Sequence, residues 1–276
     1  MKMRPVCLFR ARRLSRCAKI TLAACGALAL LLLLAAARVA ALPAGCRTSD
    51  LLPSLAMPTA VFEGAMAPTE KIVYLTFDDG PSSSTQDVLD ILHDEGVPAT
   101  FFVVSAENNQ RYLPLVRKAQ DEGHIIALHS ASHSYSRIYK SDEAFWQDID
   151  QLKSDLAPYT DTLPAILRFP GGSTNTVSRK YGGSEIMTTL KREAKEKGYT
   201  YVDWNVCAGD ALGGHPSAED IYNNVVREAA DQDVCIVLMH DTKAAKSTVT
   251  ALPRIIQWFK NAGYRFDTVD HLPAEA

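Results

Sequence analysis

From Glu70 onward, short apolar runs rich in β-branched and aromatic residues alternate with longer stretches of helical periodicity. The short runs predict strands at Ile72–Phe77, Ala99–Ser105, His124–His129, Ala165–Phe169, Tyr199–Val206, Val234–Met239 and Tyr264–Val269. The longer ones predict helices near 84–95, 109–122, 142–157, 184–197, 217–231 and 247–262. Gly96, Gly123, Gly198 and Gly263 each follow a helix where a left-handed cap is wanted. Ser217 with Asp220 resembles a capping arrangement. Regular alternation of this kind argues for a parallel α/β architecture. Periodicity alone leaves a doubly wound sheet and a barrel both open.

The front of the chain has a different pattern. Residues 1–19 are basic and carry no acid, and residues 20–42 are apolar apart from Arg38. Such a run is long enough to cross a bilayer with its basic flank on the cytoplasmic side. A cleaved signal peptide, with Val39-Ala40-Ala41 as the cut site, is the alternative. Leu42-Pro43-Ala44-Gly45-Cys46 resembles a lipoprotein box imperfectly, with Pro43 where a branched aliphatic residue is expected. Residues 43–69, with scattered prolines and no periodicity, read as a stalk, and 70–276 as one domain. The expected location is the cell membrane with the domain outside it, or secretion if the leader is cut.

Charge separates along the chain. All 32 acids and 21 of the 29 basic residues follow residue 42, a formal net of −11 for that part. That balance argues against a nucleic-acid partner, which needs clustered cations; a neutral sugar polymer or a peptide is compatible with it. Of the six cysteines only Cys207 and Cys235 fall in the domain, so no disulfide framework is expected, nor does their spacing form a zinc pattern.

Polar residues of chemical interest gather where the predicted strands end, the face on which parallel α/β proteins build sites. Asp78, Asp79 and Gly80 follow the first strand, His129 and His133 the third, Arg168, Pro170 and Gly171 the fourth, Asp210 the fifth, and His240 and Asp241 the sixth. In HSASH, 129–133, histidines at i and i+4 would share one face of a helical turn and grip one ion, though a Ser-rich segment that starts at a strand end resembles a site loop more than an amphipathic helix. Alone, the pair reads equally well as two structural histidines. A carboxylate as third ligand would leave an open position for water, as catalytic zinc requires. FDDG alone is an ordinary turn, but its two acids would supply both a metal carboxylate and a general base. RFPGG, 168–172, is a turn whose arginine can orient an acid and whose backbone N–H can bind an oxyanion. A lone strand-end histidine such as His240 is more often structural than catalytic.

Taken together and in order, TFDDG (76–80), HSASH (129–133), RFPGG (168–172) and LMH (238–240) resemble the polysaccharide deacetylases with the NodB-homology domain, carbohydrate esterase family 4. The resemblance covers residues 70–270. It implies a distorted (β/α) barrel with about seven parallel strands. It implies that Asp79, His129 and His133 hold a metal, zinc or another divalent transition metal such as cobalt. Asp78 would be the general base, paired with Arg168, and the Gly171 N–H would bind the oxyanion. His240 would be the general acid, oriented by Asp210, with Asp203 as the rival. Cys207 and Ala211 depart from the family pattern, where an aspartate and an aromatic residue are usual. The substrate implied is a polysaccharide, first N-acetylglucosamine of peptidoglycan, otherwise N-acetylmuramic acid, chitin-like oligomers or O-acetylated xylan. A monomer is expected. A binding module that has lost catalysis is the reading from another class, which loss of any of the five acids and histidines would favour; all five are present.

Overall fold

In a computed structural model of the protein, residues 70–272 are described, except 212 and 214. The predicted segments 1–19, 20–42 and 43–69 lie outside the described residues. Among those described, no helix is long and apolar enough to cross a membrane.

Among the described residues eight strands form: β1 Ile72–Asp78, β2 Thr100–Val104, β3 Ile125–Ser130, β4 Ile166–Leu167, β5 Thr200–Tyr201, β6 Val206–Cys207, β7 Val234–His240 and β8 Arg265–Asp267. The helices are α1 Thr85–Glu95, α2 Pro114–Asp121, α3 Tyr135–Ile138, α4 Asp142–Leu156, α5 Arg179–Gly182, α6 Ile186–Glu196, α7 Ala218–Ala229 and α8 Lys246–Asn261. All strand pairs are parallel. The order is β5-β4-β3-β2-β1-β7-β6, with β8 beside the start of β1. The four predicted cap glycines all have φ between +64° and +86°, and Ser217 with Asp220 makes a capping box.

The predicted single strand Tyr199–Val206 is instead two short strands, β5 and β6, at opposite ends of the sheet. Only Val202–Asn205 separates them. Five residue steps of extended chain reach at most about 18 Å. Seven strands laid flat would part the two edges by about 29 Å. The sheet must therefore curl until its edges approach, and it does so as a (β/α) barrel in which β5 and β6 do not pair with each other.

Side-chain alternation sorts two cores. Val73, Leu75 and Phe77 of β1 pack outward with Val103, Ile126, Leu128 and the apolar faces of the helices. Tyr74 of the opposite face joins Phe102, Ala127, Ile166 and Val202 in a small inner core. Thr76 and Asp78 continue that inner face, as His129 continues from Ala127 and Arg168 from Ile166.

Arg168 is fully buried and is the largest side chain in that state. Its Nε donates to Val202 O at 2.9 Å and its NH2 group to Asp203 O at 3.1 Å. Its NH1 group donates to Thr76 Oγ1 at 2.8 Å and Asp78 Oδ1 at 2.7 Å. The guanidinium carbon lies 4.1 Å from the centre of the Phe102 ring. One cation thus ties β1, β2 and β4 to the crossing segment between β5 and β6. Removing it would leave the Asp78 carboxylate and two carbonyls buried without a donor. Arg168→Ala is expected to lose about 3–5 kcal/mol of stability, the usual consequence of breaking a buried pair; chemical denaturation midpoints measure it.

Candidate active site

β1 extends one residue beyond the predicted end, so Asp78 is still in the strand and points inward by the pleat. The turn comes at Asp79, whose φ is +70°. A non-glycine residue in this left-handed region costs about 1–3 kcal/mol and needs enforcement. Here it comes from all sides: Asp79 N donates to Phe102 O, Val104 N donates to Gly80 O, and Asn109 Nδ2 donates to both Asp79 O and Pro81 O. Gly80 admits no side chain, because a Cβ there would lie 2.1 Å from the Asp241 carboxylate. The left-handed step brings the second acid to the same side as the first.

The Oδ1 of Asp79 lies 3.4 Å from His129 Nε2 and 3.1 Å from His133 Nε2. Asp79 Oδ1 is buried and accepts no hydrogen bond. His129 Nδ1 lies 2.7 Å from the Arg168 carbonyl, which can only accept, so Nδ1 carries the proton and Nε2 is left to face the acid. The ligand atoms of Asp79, His129 and His133 all lie within 4.8 Å of one another. Lone pairs directed at one point, with an orphaned carboxylate oxygen between two imidazoles, suit a cation, and two nitrogens with one oxygen suit a zinc-like ion. Burial opposes ionisation of Asp79, but the charge of His129, with that of His133 and His240, holds its carboxyl well below the usual range. Burial opposes the charged form of His129, but Asp79 and Asp78 push it up; burial pulls His133 down.

HSASH is a loop at a strand end, as its serines suggest, and not a helical turn. His129 lies in β3, while His133 sits in a loop with φ of +48°. A strand end and a left-handed residue bring the two rings to a centroid separation of 5.2 Å.

Asp78 gives Oδ1 to Arg168, and its Oδ2 lies 3.9 Å from His129 Nε2. His240 is the strand partner of Asp78 across β1 and β7, so both side chains project to the same face. Asp210 reaches His240 and Asp203 does not. Asp210 Oδ1 is 2.8 Å from His240 Nδ1, and its Oδ2 accepts from His240 N and Thr248 Oγ1. Burial would pull the His240 imidazolium down, but Asp210, helped by Asp78 and Asp79, pushes it up to about 9. Asp203 instead accepts from Ser173 N and Oγ and fastens the loop after β4.

In that loop Tyr139 Oη donates to Pro170 O at 2.7 Å. Carbonyl and N–H point oppositely across a planar trans peptide, so the Gly171 N–H points away from Tyr139. The Gly172 N–H is taken by Phe169 O at 2.7 Å; that of Gly171 is not. Next to His240 a cavity of about 430 Å³ is lined by Asp79, Asp210, Ala211, Ala244 and Ala245 among others. Ala211, where the family pattern has an aromatic residue, is part of that lining. Cys207 and Cys235 are free thiols.

Thr76, Tyr139 and Thr248 were not expected in the site. Thr76 carries a readable signal, a polar residue two before Asp78 in an apolar strand; Tyr139 and Thr248 act through contacts that no local pattern reveals.

A family model described as polysaccharide deacetylase matches residues 65–202. A peptidoglycan-N-acetylglucosamine deacetylase of Bacillus cereus is 36% identical over 217 residues, 78% of this chain and 94% of its own. The crystal structure of the catalytic domain of peptidoglycan N-acetylglucosamine deacetylase from Eubacterium rectale is similar at 41% identity and a TM-score of 0.69, covering 74% of this chain and 90% of that one. A family 4 acetyl xylan esterase from Clostridium thermocellum, in complex with a cobalt ion, is similar at 29% identity and a TM-score of 0.58, covering 73% and 90%.

A Cβ on Gly171, whose φ is +81°, would lie 2.6 Å from Tyr135 Oη, with the next ring atom at 3.4 Å. Gly171→Ala should therefore lose about 1–3 kcal/mol through overpacking. Adding Tyr135→Phe should recover part of that loss in denaturant titrations; an equal loss in both variants would count against the clash.

Proposed function

The chain belongs to the polysaccharide deacetylase family, and from that premise we propose that it removes the N-acetyl group from N-acetylglucosamine of peptidoglycan in a metal-dependent hydrolysis. The observation that carries the metal dependence is the orphaned Asp79 Oδ1 between two imidazole nitrogens, with Asp78 and His240 beside it. The substrate follows from the relatives, whose names specify that sugar. Such a substrate lies outside the cytoplasm, in keeping with a leader that is basic over 1–19 and apolar over 20–42 and serves as an anchor or signal.

Asp79, His129 and His133 would hold the cation, zinc by their donor set. A bound divalent cation supplies Lewis-acid polarisation of the acetyl carbonyl and of water. The protein's own groups do the rest. Asp78 keeps Oδ2 free of Arg168 and takes the proton of the attacking water there. The Gly171 N–H donates to the carbonyl oxygen as charge develops on it. Asp210 holds the Nδ1 proton of His240, so the Nε2 proton is the one delivered to the departing nitrogen, which would otherwise leave as a poor amide anion. The carbon–nitrogen bond breaks, and acetate and a free amino sugar result.

Acetate release from peptidoglycan fragments, with N-acetylmuramic acid derivatives, chitin oligomers and acetylated xylan as parallel substrates, tests this reading. Activity should be highest on N-acetylglucosamine units, vanish with a chelator and return with zinc or cobalt. No release by zinc-loaded protein from any of them would defeat the enzymatic reading. Asp78→Asn should abolish turnover and keep zinc binding.

The His240 shift has a pH signature. As general acid it must be protonated, so the rate should fall on the alkaline side through about pH 9. Asp210→Asn should move that limb down towards 6.5, the value of an unperturbed histidine. The same pair acts on stability: a folded-state value above 6.5 means its contribution is complete below that pH and is lost as pH rises through about 9.

A further inference from the structure

We propose that Asp148, on the sheet-facing side of α4, is the positioning residue that sets the cation affinity of the Asp79–His129–His133 centre, an inference that rests on reading this centre as a metal site. The apolar stripe of α4 is Phe145, Ile149, Leu152 and Leu156, all buried. Asp148 interrupts it, three residues after Phe145 and four before Leu152, where a charged group is out of place unless it is used.

Its partners explain the interruption. Asp148 Oδ2 accepts from Ser130 Oγ at 2.6 Å and from Ala131 N at 2.8 Å, and Oδ1 accepts from Ser132 N at 3.0 Å. Ser130 Oγ in turn accepts from His133 N at 2.8 Å. The backbone N–H groups of Ala131, Ser132 and His133 are therefore held, two by the carboxylate itself and one through a hydroxyl that the carboxylate orients. None of these bonds reaches an imidazole, so Asp148 acts on the place of the ring and not on its charge.

His133 is the ligand in need of such control. His129 is fixed by β3 and by the Arg168 carbonyl. His133 lies in a loop and holds a φ of +48°, a conformation that costs about 1–3 kcal/mol in a non-glycine residue. Freed from its hydrogen bonds, the loop would relax towards negative φ and carry the imidazole away from Asp79. Outer partners that orient metal ligands typically alter affinity by about 10- to 100-fold when removed.

Zinc affinity of the full-length protein, measured by competition with a chromophoric chelator, tests this without any substrate. Asp148→Ala should weaken zinc by about 10- to 100-fold. Asp148→Asn, with one acceptor oxygen left, should fall between. Ser130→Ala, which breaks only the relay to His133 N, should also weaken it. Asp155→Ala, on the same helix as Asp148, is the control: it loses the bonds from Ser105 Oγ and Gln151 Nε2 but none to the 130–133 loop, and its zinc affinity should match the wild type. Turnover of Asp148→Ala should recover when zinc is raised to saturation. Equal zinc affinity in the wild type and in folded Asp148→Asn and Ser130→Ala would overturn the proposal, as would an equal loss in Asp155→Ala. A wild type that binds zinc independently of His129 and His133 would instead overturn the metal reading, and the proposal with it.

Discussion

A guanidinium buried in the lumen of a small barrel is the constraint from which the rest of this structure follows. Arg168 has no access to water, so its charge has to be answered by the protein. It is answered by one carboxylate, one hydroxyl and two backbone carbonyls, while its face lies on Phe102. The carbonyls belong to the segment that crosses from one sheet edge to the other. Curling of the sheet and neutralisation of the arginine are therefore one event. The carboxylate belongs to Asp78, so the same event fixes a reactive acid at the C-terminal end of β1. Stability and the site share a single group.

That sharing explains why two neighbouring acids are not interchangeable. Asp78 obeys the pleat and has one oxygen committed to Arg168. Asp79 escapes the pleat through a left-handed backbone and presents an oxygen with no donor to a pair of imidazoles. The chain accepts backbone strain at two of the three proposed ligands, Asp79 and His133, and in each case surrounds the strained residue with hydrogen bonds to the backbone on either side. Strain of this kind persists only where the surroundings over-determine it.

Much of this was legible in the chain. The period-two alternation of β1, β3, β4 and β7 puts Asp78, His129, Arg168 and His240 on the inner face, and residues from separate strands can meet only at the strand ends. The parallel α/β class and the cap glycines were local signals, so they could be read. Two features were not. A continuous apolar run over Tyr199–Val206 looks like one strand, because nothing local says that its middle must bridge two sheet edges. A loop at a strand end could be read in HSASH, but not the left-handed step at His133 that brings its ring beside that of His129, which β3 holds through its pairing with β2 and β4. The resemblance favours Asp210 over Asp203 as the partner of His240, and the fold gives the rival its own place: Asp203 fastens the loop after β4 and Asp210 the histidine.

The choice of Asp210 for His240 also bears on how the centre would respond to its cation. Three charges act on the His240 ring, but they are not equal. After burial, Asp210 acts first, through a hydrogen bond and its charge, and Asp78 and Asp79 follow. A cation bound by Asp79 would cancel much of the field from that acid. It would leave untouched the bond between Asp210 and Nδ1, which points to the far side of the ring from the delivered proton. An acid whose strength rested mainly on Asp79 would weaken on loading, when it is needed. One that rests on Asp210 would keep its main support in both states. In the proposed roles, separation of the acids into one for the cation, one for the water and one for the histidine would thus be more than economy of position: it would uncouple metal binding from the protonation of the group proposed to complete the cleavage.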